Sequence, residues 1–117
     1  MFLAHLAELE LRAGRPAEAL PEFEAAVRLD PSHVLANRNL GGILGVLGRP
    51  GDGEGYLRRA VELDPRDHRA LNNLGALYLK QQKYPEALVQ LQAARTVTPD
   101  NPKVHFNLGM VYAGLNR

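Results

Sequence analysis

Three tripeptides, Leu29-Asp30-Pro31, Leu63-Asp64-Pro65 and Val97-Thr98-Pro99, recur every 34 residues, and so do Asn39-Leu40-Gly41, Asn73-Leu74-Gly75 and Asn107-Leu108-Gly109. Both series keep register without a gap. A chain with such a period is built from one supersecondary unit that cannot bury its apolar face alone. Neighbouring units must therefore stack, and the core runs along the array. The 117 residues hold three units and part of a fourth, and are too few for two ordinary globular domains.

Within a unit, Leu71, Leu74, Leu77 and Tyr78 fall at i, i+3, i+6 and i+7, one face of an α-helix. The pattern then breaks. Gly14 and Gly48 suit left-handed helix C-caps, and Pro16, Pro50 and Pro85 sit where a second helix begins, in the first turn where a missing N–H costs least. Two antiparallel helices per unit follow, with Ser32, Asp67 and Asn101 as expected N-caps of the next unit and Pro102 opening the last helix. Ala7, Gly41, Gly75 and Gly109, facing Ala19, Gly53 and Ala87, allow paired helices to approach closely, and Ala26, Ala60 and Ala94 do the same between units. Pro21 lies inside a second helix and predicts a bend. Gly51, Gly53 and Gly55 make the second helix of the second unit, about Asp52 to Leu63, the weakest, dependent on Leu57, Val61 and Leu63.

The signature W-x2-L-G-x2-Y, then A-x3-F, then P belongs to the tetratricopeptide repeat, which this chain resembles over its whole length. The third unit carries it most fully, as Leu71, Leu74, Gly75, Tyr78, Ala87, Leu91, Ala94 and Pro99. The first reads Leu3, Leu6, Ala7, Ala19, Phe23, Ala26 and Pro31, with Glu10 at the tyrosine position. The second departs at Asn37, Leu44 and Gly53, and the fourth gives His105, Leu108, Gly109 and Tyr112. The resemblance implies an all-α fold, a right-handed superhelical solenoid of antiparallel helix pairs with about seven helices. It would form one domain over 1–117, with repeats at approximately 1–33, 34–67 and 68–101 and a half repeat at 102–117. First helices would line a concave groove and second helices the convex face.

The net charge of +1, from 14 basic and 13 acidic residues, offers no global attraction to nucleic acid or anionic membrane. The distribution is nevertheless one-sided. Val34 to Gly48, His68 to Gln82 and Pro102 to Leu115 contain no aspartate or glutamate, but carry Arg38, Arg69, Lys80 and Lys103 with His68 and His105. Arg69, Asn73 and Ala76, like Lys103, Asn107 and Met110, form stripes at i, i+4, i+7. Asn39, Asn73 and Asn107 would stack into a ladder of amides able to hold peptide backbone irrespective of its sequence. With helices about 8–10 Å apart and an extended peptide rising about 3.3 Å per residue, one asparagine serves about three ligand residues. Leu79, Phe106 and Met110 would add apolar contacts or core.

The ladder is similar to that of the superhelical repeats of O-linked GlcNAc transferases, and the cations resemble in part the carboxylate clamp of co-chaperones. Arg38, Asn73 and Lys103 match clamp positions, whereas Gly42 and Asn107 replace an asparagine and a basic residue. The expected function is binding of a protein or peptide segment in the groove, with acidic segments or a free C-terminal carboxylate as the chemistry the cations suit.

No catalytic, cofactor or metal site is expected. His5, His33, His68 and His105 lie on different repeats without metal-ligand spacing, cysteine is absent, and Gly41-Gly42-Ile43-Leu44-Gly45 lacks the strand and lysine of a phosphate loop. No signal peptide or membrane span is read, so the compartment stays open with the cytoplasm favoured. The alternative reading is a structural or self-assembling segment of a larger solenoid, for instance the repeat region of an enzyme such as a glycosyltransferase. Its basis is the apolar last helix, with Phe106, Leu108, Met110, Val111, Tyr112 and Leu115, which predicts end-to-end association or derivation from a longer protein.

Overall fold

A computed structural model describes residues 14–116, and every regular element in them is helical: α1 (Pro16–Leu29), α2 (Val34–Val46), α3 (Pro50–Leu63), α4 (His68–Lys80), α5 (Tyr84–Val97) and α6 (Pro102–Leu115). The expected helix bearing Leu3, Leu6 and Ala7, and with it His5 and Glu10, lies outside the described residues. Each helix packs on the next in sequence, and α2, α4 and α6 also stack on one another. By contrast α1, α3 and α5 bring no Cα atoms within 8 Å of each other. Close first helices and splayed second helices bend the stack, so the groove lies on the α2, α4, α6 side.

The 34-residue period is visible in how these helices start and stop. Pro16 and Pro50 occupy the first turns of α1 and α3, and Pro85 follows Tyr84 at the start of α5. Glu18, Asp52 and Glu86 place a carboxylate in each of these first turns, where the helix dipole favours it. The groove helices begin on side-chain caps. Asp67 accepts from the amides of Arg69 and Ala70, and Asn101 from that of Lys103. The cap of α2 is His33, not Ser32: its Nδ1 accepts from the Ala36 amide at 3.0 Å. Gly14 and Gly48 have φ of +77° and +79° as a C-cap turn requires, and Gln82 keeps the same turn at φ 59° despite its side chain.

α1 continues through Pro21, which is exposed; the lost bond falls on the carbonyl of Ala17. α3 starts at Pro50, slightly earlier than expected, and is anchored by Leu57 and Ala60, both fully buried, while Leu63 is 38 % exposed and contributes little. The crossing of α2 and α3 explains the glycines. A Cβ on Gly41 would lie 2.5 Å from Leu57 Cγ, and one on Gly53 would lie 2.6 Å from the Gly41 carbonyl oxygen.

The core gathers into two main clusters, one with Phe23, Leu40 and Ile43 and the other with Leu57, Leu74, Leu91, Leu108 and Val111. At the signature tryptophan position the repeats use two solutions. Leu71 is an apolar filler, whereas Asn37, 1 % exposed, donates its amide to Pro31 O at 3.0 Å and His33 O at 2.9 Å. His105 Nε2 similarly bonds Pro99 O. These polar side chains tie a groove helix to the proline that closes the preceding repeat.

Candidate functional site

The groove wall is formed by residues that the stripe along each first helix turns away from the core. On α4 these are Arg69, Asn73, Ala76 and Lys80, and the last three line a cavity against Gly42, Gly45 and Val46 of α2. The structure places the expected ligand-binding residues in distinct environments.

Arg38 is not a free cation. Its Nη1 lies 3.1 Å from Asp67 Oδ2 and 3.4 Å from Oδ1, and the two side chains are only 12 % and 8 % exposed. Asp67 precedes α4 by one residue, so α2, α4 and α6 are free of acids, as expected, and yet one groove cation is neutralised from a capping position. Lys80 reaches back to α2 and donates to the carbonyl of Gly45 at 3.0 Å, where the negative end of the helix dipole favours an ammonium. Two of its N–H groups remain for a ligand. Arg69 and Lys103, in the first turns of α4 and α6, are exposed and have no carboxylate partner among the described residues.

The three asparagines do not form a uniform ladder. Asn107 donates to Asn72 Oδ1 at 3.0 Å, so its donor is engaged by a residue the sequence had not singled out. Asn73 makes no side-chain hydrogen bond among the described residues and stands opposite Gly42, where a Cβ would approach its Nδ2 to 3.2 Å. The Nδ2 of Asn39 is buried and has no partner among the described residues. The signal for Asn72 was a stagger. Side chains on α4 and α6 that bond the preceding first helix do so across 35 residues, one more than the period, in both the Asn107–Asn72 and Lys80–Gly45 contacts.

Leu79 packs partly buried against the core, whereas Phe106 and Met110 are 69 % and 48 % exposed. Glu54 on the convex side had also gone unnoticed. Its carboxylate accepts from Tyr78 Oη at 3.5 Å and lies 3.9 Å from Lys83 Nζ, which in turn sits 5.9 Å from the Tyr78 ring centroid. Burial, and then the Glu54 charge, push the Tyr78 phenol above its ordinary pKa. Among the described residues no three side chains are grouped to hold a metal ion, and no helix is long and apolar enough to cross a membrane.

The family profile of the tetratricopeptide repeat matches residues 5–49 and 44–94, and a further TPR repeat profile matches residues 77–116. The chain belongs to the tetratricopeptide repeat family. No sequence among the curated proteins matches this TPR chain. Solved TPR structures agree with it in fold. The first TPR domain of Spaghetti (RPAP3), bound to the HSP90 peptide SRMEEVD, superposes with a TM-score of 0.93 at 20% identity, covering 99% of this chain and 92% of that one. The first TPR domain of human RPAP3 gives 0.89 at 20% identity over 97% and 90%. YrrB, described as a TPR protein with an unusual peptide-binding site, gives 0.80 at 24% identity over 89% of this chain and 54% of its own.

Proposed function

We propose that this TPR chain is a protein-interaction module that binds an extended, acidic peptide segment along the α2, α4, α6 groove. The observation that carries the reading is the groove wall itself. It has no carboxylate on any of its three helices, exposed cations at Arg69 and Lys103 without a carboxylate partner among the described residues, and at Asn73, facing Gly42, an amide that makes no side-chain hydrogen bond among them. Asn73, Asn39 and the Asn72–Asn107 pair supply backbone contacts, and Arg69, Lys80 and Lys103 supply the charge preference. That structurally similar TPR domains are described with peptides supports the same use of this surface. Arg38 takes part only when its pairing with Asp67 is released, which leaves the clamp-like set further from complete.

Calorimetric titration of acidic peptides, SRMEEVD among them, and of neutral peptides of equal length tests this. The acidic series is expected to bind more tightly and to weaken with added salt, while an Asn39→Ala, Asn73→Ala, Asn107→Ala triple variant loses affinity for both series. Undiminished binding by that variant, or no binding by any peptide, would contradict the proposal.

One observation favours a second reading, a self-associating or solenoid-extending role. On α6, Tyr112 and Leu115 are exposed, and a Cβ on Gly109 would meet nothing within 4 Å, whereas Gly41 and Gly75 are each covered by a leucine of the following helix. Light scattering at rising concentration checks it: a strict monomer counts against association through this face.

A further inference from the structure

Away from the groove, α1 and α3 splay apart, and a cavity of about 290 Å³ lies between them, lined by Val27, Pro31, Asn37, Gly55, Tyr56 and Arg59. Counting by the period explains the opening. The next repeat has Leu71 at the position of Asn37 and Val89 at that of Gly55, so the second repeat is smaller at both. The other two positions go the opposite way, with Tyr56 in place of Gln90 and Arg59 in place of Ala93. Room, an aromatic ring and a cation are thus brought together at this one step of the array. Gly55 serves no close helix approach: a Cβ there would meet nothing within 4 Å, so the glycine costs helix stability relative to alanine and leaves only space in return.

We infer that this hollow is a second binding site, for a tryptophan side chain of a partner polypeptide. It is separate from the groove and does not depend on the peptide-binding reading above. Size admits the ring. An apolar cavity of about 150 Å³ accepts benzene, and scaling by ring atoms an indole needs about 225 Å³, within the volume present. The polar atoms select it. Asn37 is 1 % exposed, and its Nδ2 donates to two carbonyls, Pro31 O and His33 O. Because both partners are acceptors, the orientation of the amide is fixed and Oδ1 is the end left over, with no donor among the described residues. A buried acceptor beside a cavity gains most from a donor brought in by the ligand. An indole carries one N–H on an otherwise apolar ring, whereas a phenyl or aliphatic side chain offers Oδ1 nothing. The walls suit a flat ring as well. Tyr56 is half-buried, and Arg59, exposed and without a carboxylate partner among the described residues, is held at the rim by donation from Nε to Pro31 O at 3.2 Å. Its guanidinium can stack on the indole face while its Nη groups donate in their own plane to a main-chain carbonyl beside the ring, which is why a polypeptide suits the site better than a free indole. The same cation disfavours a lysine or arginine side chain there.

The chain contains no tryptophan, so the emission of a ligand tryptophan is read without background. The test titrates the protein into an uncharged, end-blocked glycine peptide with one central tryptophan, with the Phe-centred and Leu-centred peptides and free indole as competitors. Gly55→Val installs the side chain that Val89 carries at the equivalent position, Arg59→Ala that of Ala93, and Arg69→Ala alters the groove instead; circular dichroism verifies that helix content is retained. For the wild type, saturable binding with a blue-shifted emission is expected, and the Phe-centred and Leu-centred peptides should compete at least about tenfold more weakly. Free indole should also compete more weakly than the tryptophan peptide. Gly55→Val is expected to weaken binding at least about tenfold and Arg59→Ala about threefold, while Arg69→Ala leaves it unchanged. Absence of a saturable shift, equal binding of the three peptides, or full affinity in either Gly55→Val or Arg59→Ala refutes the site. Loss of binding in Arg69→Ala refutes it too by moving the ligand to the groove, and equal competition by free indole overturns the polypeptide as its source. None of these outcomes bears on the acidic-peptide titration, so the two readings fail separately.

Discussion

The signature glycines Gly41, Gly75 and Gly109 occupy one position of the repeat, yet alanine at the three sites should have effects of different size and sign. At Gly41 the new Cβ would lie 2.5 Å from Leu57 Cγ and 2.9 Å from the carbonyl oxygen of Gly53. Favourable carbon contacts fall at about 3.5–4.0 Å, so α2 and α3 would have to separate by about 1 Å. Overpacking of this kind costs about 1–3 kcal/mol. Because backbone as well as side chain stands in the way, we place Gly41→Ala near the top of that range. At Gly75 the obstacle is the side chain of Leu91 alone, at 2.5 and 2.7 Å, but that leucine is fully buried, so it gives way only by displacing its core neighbours. Both losses are offset by about 1 kcal/mol of helix propensity. The net expectation is destabilisation of about 2 kcal/mol for Gly41→Ala and about 1–2 kcal/mol for Gly75→Ala. At Gly109 nothing lies within 4 Å, so only the propensity term acts and Gly109→Ala should stabilise by up to about 1 kcal/mol. Urea denaturation of the four chains, with equal m-values as the check that the unfolded ensembles match, reads the series directly. If Gly109→Ala destabilises as much as Gly75→Ala, close helix approach is not why the repeat keeps a small residue here.

The ion pair in the groove predicts a trade between stability and binding. Asp67→Asn retains the cap of α4 but strands Arg38, which at 12 % exposure lies between the surface and buried cases, so a loss of about 2 kcal/mol is expected. Asp67→Ala should lose about 1 kcal/mol more with the cap. Titration calorimetry should show acidic peptides binding Asp67→Asn more tightly, with a steeper salt dependence, because the guanidinium is released into the groove. An unchanged affinity would mean that Arg38 does not face the ligand. Tyr78 predicts an alkaline limit. Its folded-state pKa is raised, so the contribution of the neutral phenol to stability is complete below the unfolded value of about 10 and is lost as pH rises from there through the folded value. Ultraviolet titration of the wild type minus Tyr78→Phe should show one phenol ionising later than a free tyrosine, and Tyr78→Phe should flatten the alkaline fall in urea stability.

What the amino-acid sequence revealed and what it concealed divide along a physical line. Features fixed by one residue's own backbone were legible: the positive φ of Gly14 and Gly48, the first-turn prolines of α1 and α3, and the caps Asp67 and Asn101. Where the structure departs locally from the expectation, the period outweighs residue preference. Ser32 is the commoner capping type, but His33 is the residue in register with Asp67 and Asn101, and it caps α2. Gln82 likewise keeps a turn that Gly48 makes without strain, because the repeat fixes the fold of the turn even where the side chain disfavours it.

The groove was less legible because a binding surface in a stacked array is made by pairs of repeats. Asn39, Asn73 and Asn107 are equivalent by period, but the Asn73 and Asn107 side chains meet the preceding first helix, whose residues are not repeated faithfully. Asn107 finds the acceptor Asn72, whereas Asn73 finds the bare backbone of Gly42 and keeps its amide free. Arg38 finds Asp67 at the start of the next groove helix, although Asp67 lies just outside the acid-free stretch that begins at His68. In each case the deciding partner lies about one repeat away, at a stagger set by how α2, α4 and α6 pack. A search for equivalent residues at intervals of 34 therefore identifies the helices that form the groove, and the contacts between adjacent helices decide which of those residues remain available to a ligand. By that criterion the region from Asn73 to Lys80, facing Gly42 and Gly45, offers a ligand an open space of about 110 Å³ beside an amide that makes no side-chain hydrogen bond among the described residues.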